Sequence, residues 1–347
     1  MDKLKVGIIF GGRSGEHEVS LMSATSVLNY LDKDKYEPVP IGITKEGRWL
    51  TAGNPLEALK RGNIKGEGPL PVELLEKLDV VFPVLHGPFG EDGTIQGLLE
   101  MLNIPYVGAG VLGSAVGMDK GIMKMLFQQA GLPVVDYLTF LRRDWEGDRA
   151  TIIDSIEKEL GYPAFVKPVN LGSSVGISKA TDREELEQAV DLACRFDREI
   201  IVEKFVNCRE IECSVLGNDR PEASLPGEIV PHLDFYNYEA KYTDGKSDFF
   251  LPAPLSPEKT EEVREYAIRA FLAVKACGMA RVDFFLDKDT GQLYVNELNT
   301  IPGFTHLSMY PKMWEITGLQ YPDLLDKLID LALERFADKQ RNQISWG

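Results

Sequence analysis

Lys5-Val6-Gly7-Ile8-Ile9-Phe10-Gly11-Gly12-Arg13-Ser14-Gly15-Glu16-His17-Glu18 reads as a short apolar run, a glycine break and the start of a helix. Helical spacing continues to about Tyr30, and residues 39–43 and 78–85 read as two further strands. Strand, glycine loop, helix, strand is the order of an α/β unit. It implies a parallel sheet with ligand loops at the carboxyl ends of its strands.

Working outward, residues 51–72 form a Gly/Pro-rich connection with little periodic signal, and 118–131 read as a helix closed by Gly131-Leu132-Pro133. A second block holds a strand at 164–167, a Gly/Ser loop at 172–176, a helix at 182–193 and a strand at 199–203. A third begins near Glu210: loop-like sequence over 228–257, a helix at 257–276, and a hairpin over 281–299 turning at 287–291. Leu324, Leu325, Leu328, Ile329, Ala332 and Phe336 then make a helical stripe that reads as core.

The chain's 347 residues suggest two domains or three small ones. With 38 basic and 54 acidic residues, the net charge of −16 argues against nucleic acid as a partner, because phosphate backbones select Lys/Arg-rich faces. A small phosphorylated ligand needs only a few local cations and stays open. No run of about 18 apolar residues occurs, so no membrane span or secretory signal is expected. The four cysteines fit neither a C-x-x-C motif nor a disulfide framework, which points to neutral thiols in a reducing cytoplasm. Four histidines are too few for a His-rich metal site, so any metal is bound by oxygen.

Four stretches carry chemistry. Gly11-Gly12-Arg13-Ser14-Gly15 has G-G-x-x-G spacing, a weak nucleotide fingerprint that reads equally as a tight turn; Glu16 behind it is suited to an ammonium or to a helix start. His86-Gly87-Pro88-Phe89-Gly90-Glu91-Asp92-Gly93 places a histidine and two acids at a strand's carboxyl end, where a structural and a catalytic histidine are both open. Lys167-Pro168 followed by Gly172-Ser173-Ser174-Val175-Gly176 offers N–H groups, hydroxyls and an ammonium to phosphate oxygens. In the hairpin, a turn centred on Asp289 sets Arg281 opposite Glu297 and Asp283 opposite Val295. Alternation then puts Arg281, Asp283, Glu297 and Asn299 on one face, an oxygen-rich set suited to Mg²⁺. The alternative is a polar face with cross-strand ion pairs.

These motifs, with Met118-Asp119-Lys120, Val202-Glu203-Lys204, Tyr238-Glu239-Ala240-Lys241-Tyr242 and Asn296-Glu297-Leu298-Asn299-Thr300-Ile301-Pro302-Gly303, and on to Ser308-Met309-Tyr310, resemble the D-alanine–D-alanine ligases of the ATP-grasp superfamily over essentially the whole chain. The resemblance implies three domains: 1–117 (α/β, first D-alanine), 118–209 (central ATP-grasp) and 210–347 (C-terminal ATP-grasp, with a lid at 228–257). It also implies ATP-dependent joining of two D-alanines for peptidoglycan precursors through an acyl phosphate, releasing ADP and phosphate.

By that resemblance Glu16 holds the ammonium of the first D-alanine, with Val19 and His86 beside it. Lys120 and Lys167 bind the α- and β-phosphates, Lys241 reaches the γ-phosphate, Glu203, Phe205 and Val206 frame the adenine while Glu210 takes the ribose, and Ser173, Lys204 and Phe235 also bind ATP. Asp283, Glu297 and Asn299 hold two Mg²⁺, for which Mn²⁺ substitutes. Arg281 and the Gly303 N–H form an oxyanion hole, Ser308 and Met309 bind the second D-alanine, and Glu16, Ser173 and Tyr242 form a triad closing the lid. A cytoplasmic homodimer is implied as well. The alternatives are a D-Ala–D-Ser or D-Ala–D-lactate ligase, or a nucleotide-binding relative without catalysis; the last should have lost one of Asp283, Glu297, Asn299, Arg281 or Lys167, and all are present.

Overall fold

The structure, a computed structural model, describes residues 3–172, 175–231, 247–305 and 307–343. Its first strand, β1 (Leu4–Gly11), is buried on both faces. Val6, Ile8 and Phe10 join one core while Ile9 joins another, as the period-2 alternation of a central strand demands. Around it come α1 (His17–Tyr30), β2 (Tyr36–Ile43), β3 (Trp49–Leu50), α2 (Pro55–Lys60), α3 (Val72–Leu75), β4 (Val80–Pro83), α4 (Thr94–Met101) and α5 (Val111–Met118). The sheet order is β3-β2-β1-β4, with β1 parallel to β2 and β4 and β3 antiparallel at the edge. Its parallel core is the one expected from the sequence.

The stretch at 51–72 holds more structure than its composition suggests. Asn54 caps α2 by accepting from the Glu57 N–H at 3.1 Å, Pro55 starts the helix, and Leu56 and Leu59 are buried. Two buried leucines in six residues are too few for a periodic signal. At Met118 the helix read from the sequence divides into α5 and α6 (Lys120–Gln129). Asp119 between them is extended and accepts the Ile122 N–H at 2.9 Å.

The second sheet, ordered β5-β8-β6-β7, is antiparallel throughout and comprises β5 (Tyr137–Leu141), β6 (Ala164–Pro168), β7 (Ser178–Ala180) and β8 (Glu199–Lys204). α7 (Arg142–Gly147), α8 (Arg149–Glu159) and α9 (Arg183–Ala193) accompany it, and Asp182 caps α9. Phe205-Val206-Asn207 then crosses to the third sheet.

That sheet is β12-β11-β9-β13-β14, with β10 beside β9, built from β9 (Cys208–Gly217), β10 (Glu222–Ala223), β11 (Gly227–Pro231), β12 (Ser247–Phe250), β13 (Gly278–Asp287) and β14 (Leu293–Asn299). α10 (Pro257–Ala273) covers it, and α11 (Met309–Thr317) and α12 (Tyr321–Lys339) follow. β11 and β12 pair antiparallel, Glu228 opposite Phe250, so the loop-like reading of 228–257 fails at 228–231 and 247–250 and holds at 251–256; residues 232–246 lie outside the described residues.

The hairpin register also differs from expectation. Arg281 faces Asn299 and Asp283 faces Glu297, whereas Phe284 faces Val295, with a bulge that leaves Asn296 over. Between the bulge and the site, pairing is offset by two residues from a turn centred on Asp289, and on the turn side by one; the even offset keeps Arg281, Asp283, Glu297 and Asn299 on the same face.

The stripe of α12 is core except at its end, where Phe336 is only half-buried, and it packs on the first sheet: Leu324, Leu325, Leu328 and Ile329 share one cluster with Val6, Ile8, Phe10 and Phe82. Arg335 reinforces this, donating to the Tyr106 carbonyl at 2.9 Å. The chain's last helix therefore holds its first sheet.

Candidate active site

A cavity of about 150 Å³ opens where the three sheets meet, lined among others by Glu16, Val19, His86, Lys120, Arg281, Glu297, Asn299, Gly303, Ser308 and Met309. Ten residues singled out from sequence, from all three blocks, thus border one space.

The glycine turn after β1 delivers Glu16. Gly11 and Gly12 both have positive φ, and a Cβ at Gly11 would lie 2.2 Å from the Ile43 carbonyl oxygen. The turn's polar groups are used internally: Gly11 N–H donates to Ser20 Oγ, Gly12 N–H to the Ile43 carbonyl, and His17 Nδ1 to the Gly12 carbonyl. The tight-turn reading therefore holds for these glycines. Glu16 is buried, with Oε2 packed so closely that a Cβ would come within 2.5 Å of it at Gly87 and 3.1 Å at Gly172. Ser173 and Tyr242, its expected triad partners, lie outside the described residues.

His86 Nδ1 contacts the Ile301 carbonyl at 3.0 Å and Nε2 contacts Ser23 Oγ at 2.8 Å. Burial lowers its pKa, favouring the neutral ring despite the nearby Glu16 carboxylate. Glu91 accepts the Gly87 N–H at 2.9 Å and the Ile301 N–H at 3.4 Å, and burial, then the Glu16 charge, pushes its carboxyl up to about 8. Asp92 has a structural role: it accepts the Phe89 and Thr94 N–H groups at the start of α4.

On the hairpin face, Arg281 donates from Nε and Nη2 to both Asp283 oxygens at 2.7 Å and lies 3.2 Å from Glu212 on β9. Asn299 Nδ2 donates to Asp283 Oδ2 at 3.1 Å. Among the described residues no three His, Cys, Asp or Glu side chains cluster as a metal site, and the Asn299 amide stands beside the Asp283 and Glu297 carboxylates on this face. Two carboxylates and an amide fit a hard cation such as Mg²⁺, which keeps water or phosphate oxygens in its other positions. Beyond β14, a Cβ at Gly303 would sit 2.9 Å from Ser308 Oγ, which itself accepts the Thr305 N–H at 3.0 Å. Met309 packs with Ile229, Met313 and Leu251 as an apolar wall.

The cleft between the second and third sheets is charged. Glu203 is 2% exposed and lies between Lys167 at 2.6 Å and Lys124 at 3.1 Å. Burial alone would raise its pKa, but the two ammonium groups outweigh it and hold it at about 2. Burial likewise works against Lys167, and Glu203, Glu297 and Glu210 outweigh it, raising its pKa; Lys124 is lowered by burial despite Glu203. Lys120 donates to the Leu171 carbonyl at 2.6 Å and lies 3.9 Å from Glu297. Lys204 is exposed, Phe205 and Val206 are half-buried on the segment that crosses between the sheets, and Lys179 covers the Phe205 ring. Glu210 lies on β9 opposite Phe285. Phe235 and Lys241 lie outside the described residues.

Sequence reading passed over Lys124, Ser23 and Glu212 and gave Glu91 no separate role. Lys124 is four residues after Lys120 on the buried face of α6, and Ser23 is three after Ser20 on that of α1. A polar residue at the helical spacing of an apolar face is the signal that would have found both.

Family models described as D-ala D-ala ligase N-terminus and C-terminus match residues 5–109 and 126–330. The chain is 51% identical, over 100% of both chains, to a D-alanine–D-alanine ligase of Natranaerobius thermophilus, and 52% identical to one of Heliobacterium modesticaldum over 99% of this chain and 98% of the other. Its fold matches the D-alanine-D-alanine ligase of Coxiella burnetii (TM-score 0.84, 40% identity, 98% of each chain). It also matches the VanG D-Ala:D-Ser ligase of Enterococcus faecalis (TM-score 0.85, 39% identity, 95% of this chain and 100% of that one). With matches running end to end at about half identity, the chain is an ATP-grasp protein and belongs to the D-alanine–D-alanine ligase family.

Proposed function

We propose that this protein uses ATP to join two D-alanines, with the site residues in the roles their motifs imply and with the divisions 1–117, 118–209 and 210–347. The observation that carries this reading is the single cavity bordered by Glu16, Arg281, Gly303, Ser308 and Met309, with Glu297 and Asn299 on its wall. A carboxylate there suits an ammonium, and a guanidinium and an N–H suit developing negative charge. The carboxylate oxygen of the first D-alanine attacks the γ-phosphorus of ATP and ADP leaves. The deprotonated amine of the second then attacks the acyl carbon, the C–N bond forms, and phosphate departs with the C–O bond pair. Arg281 and the Gly303 N–H face the oxyanion between these events.

The family generally uses ATP and a divalent metal. In our reading Asp283, Glu297 and Asn299 would hold two Mg²⁺, with Mn²⁺ a substitute; such ions supply charge neutralisation at phosphate oxygens. Glu203, Lys204, Phe205, Val206, Glu210 and Phe235 serve the nucleotide, and Lys120, Lys167 and Lys241 its phosphates. Glu16, Ser173 and Tyr242 close the lid. Among the described residues no helix is long and apolar enough to cross a membrane; a cytoplasmic homodimer completes the reading.

Phosphate release from ATP with D-alanine and Mg²⁺ tests the activity, and silence in that assay sinks it. The D-Ala:D-Ser relative makes the second substrate a separate question. Met309, among Ile229, Met313 and Leu251, offers a methyl group contact and a serine hydroxyl no partner, which favours D-alanine. In competition between labelled D-alanine and D-serine or D-lactate, D-Ala–D-Ala should dominate the product.

A further inference from the structure

Ser23 is fully buried on α1, and its hydroxyl joins two segments far apart in the chain. It contacts His86 Nε2 at 2.8 Å and accepts the Phe304 N–H at 3.2 Å. His86 in turn reaches the Ile301 carbonyl through Nδ1 at 3.0 Å, and Glu91 accepts the Ile301 N–H. The turn that carries Gly303 is thus held on both flanks, at 301 and 304, by groups of the first sheet's elements.

The hydrogen bonds determine where the protons are. A carbonyl oxygen only accepts, so His86 Nδ1 carries a proton. In the neutral ring Nε2 is then an acceptor, and the Ser23 O–H must donate to it. That leaves the Ser23 lone pairs for the Phe304 N–H, so donor and acceptor capacities are matched along the chain. Both ring nitrogens of His86 are used within the protein, which makes the histidine a strut rather than a proton donor to substrate.

We propose that Ser23 is a positioning residue for the ligation: its hydroxyl holds His86 as the Nδ1–H tautomer and, with it, fixes the 301–304 turn from which the Gly303 N–H meets the oxyanion. The inference rests on the oxyanion role of Gly303 and Arg281 given above. It predicts selectivity between the two chemical steps. Attack on the γ-phosphate does not involve the oxyanion on the acyl carbon, whereas attack by the amine does. A displaced turn therefore slows the second step alone.

The test has two parts. In full-length protein labelled with ¹⁵N-histidine, His86 (assigned by loss of its signals in His86→Gln) should show a protonated Nδ1 and an unprotonated, hydrogen-bonded Nε2. In Ser23→Ala the Nε2 resonance should move toward that of an unbonded ring nitrogen. A protonated Nε2 in the wild type overturns the clamp. In single-turnover quench with ATP, D-alanine and Mg²⁺, Ser23→Ala should keep ADP formation within about threefold and slow dipeptide formation by about tenfold to a hundredfold, the scale of a misplaced reacting geometry. Equal slowing of both steps, or of neither, overturns the proposal. Arg281→Met separates the two levels: if it slows dipeptide formation and Ser23→Ala does not, only the clamp falls. If Arg281→Met spares that step, the oxyanion reading falls and the clamp's purpose with it. Should Ser23→Ala not fold, Ser23→Cys, similar in size but a weak donor and acceptor, carries the same comparison.

Discussion

The pocket around Glu16 and the cleft around Glu203 border the same region but are held by different forces. Around Glu16 and Gly303 the links are hydrogen bonds of a neutral imidazole, a serine hydroxyl and backbone groups, joining α1, the 86–91 loop and the 301–304 turn. Around Glu203 they are ion pairs, two ammonium groups on one buried carboxylate. Hydrogen bonds are directional and fix position to fractions of an ångström, whereas a buried charge depends chiefly on having its counter-charge. The pocket should therefore fail by losing geometry, the cleft by losing stability.

Glu203→Gln should break the cleft most severely. It leaves Lys124 and Lys167 buried side by side with their shared carboxylate removed, at a cost of roughly 3–5 kcal/mol, the scale for a broken buried pair. Removing one cation as well, in Glu203→Gln/Lys124→Met, should restore part of that loss, because the second ammonium no longer repels the first. Denaturant unfolding of both variants measures this. A double variant no more stable than the single one contradicts the charge account.

Glu297→Gln acts on β14, which serves both regions, and here turnover should respond more than stability. Removing a charge from the proposed metal set should cost about two to three orders of magnitude in turnover, or roughly 2.7–4 kcal/mol of barrier. Nucleotide affinity should persist through the cleft. Near-normal phosphate release at ordinary Mg²⁺ would remove Glu297 from that set.

Much of this contrast was legible in the sequence, and the rest was hidden for definite reasons. The glycine turn, the His86 segment and the hairpin face are local patterns in the sequence, although His86 and Glu91 take their final positions from Ser23 and Ile301 elsewhere in the chain. The exact register was not legible, because the bulge at Asn296 answers to tertiary contacts such as Lys124 Nζ donating to its carbonyl at 3.1 Å. Lys124 and Ser23 escaped notice because their partners lie 79 and 63 residues away along the chain for Glu203 and His86 (203 − 124 and 86 − 23). Short strands such as β11 and β12 carry too few alternations to stand out beside prolines.

Gly87→Ala probes the pocket by displacement alone. Gly87 has φ of 74°, and an added Cβ would meet Glu16 Oε2 at 2.5 Å. Backbone strain of roughly 1–2 kcal/mol is expected from the left-handed conformation. The carboxylate must also move, so KM for the first D-alanine should rise by about tenfold, on the scale of 1.4 kcal/mol. KM for ATP should hardly change, since Glu203 and its lysines are elsewhere. A parallel rise in both constants would mean that the two regions are not independent.

The last prediction concerns Glu91, whose protonation tracks pH near neutrality. Its folded pKa of about 8 lies above the unfolded carboxyl value of about 4.3, because burial and the neighbouring Glu16 charge disfavour ionisation. Between those values the folded state binds more protons than the unfolded one. Stability must therefore fall as pH rises through this window, by up to about 1.4 kcal/mol per pH unit for one group. Glu91→Gln cannot ionise and should lose that slope while still offering an oxygen to one of the two N–H groups at Gly87 and Ile301. Glu16→Gln should reduce the slope without abolishing it, because burial is the larger cause and remains. Unfolding midpoints of the three proteins at pH 6, 7 and 8 supply the comparison. Parallel curves would place Glu91 among ionised carboxylates, and Glu16 would then share its pocket with a second negative charge. The expected order is wild type steepest, Glu16→Gln intermediate and Glu91→Gln flattest, because burial is the larger cause of the raised Glu91 pKa and the Glu16 charge the smaller.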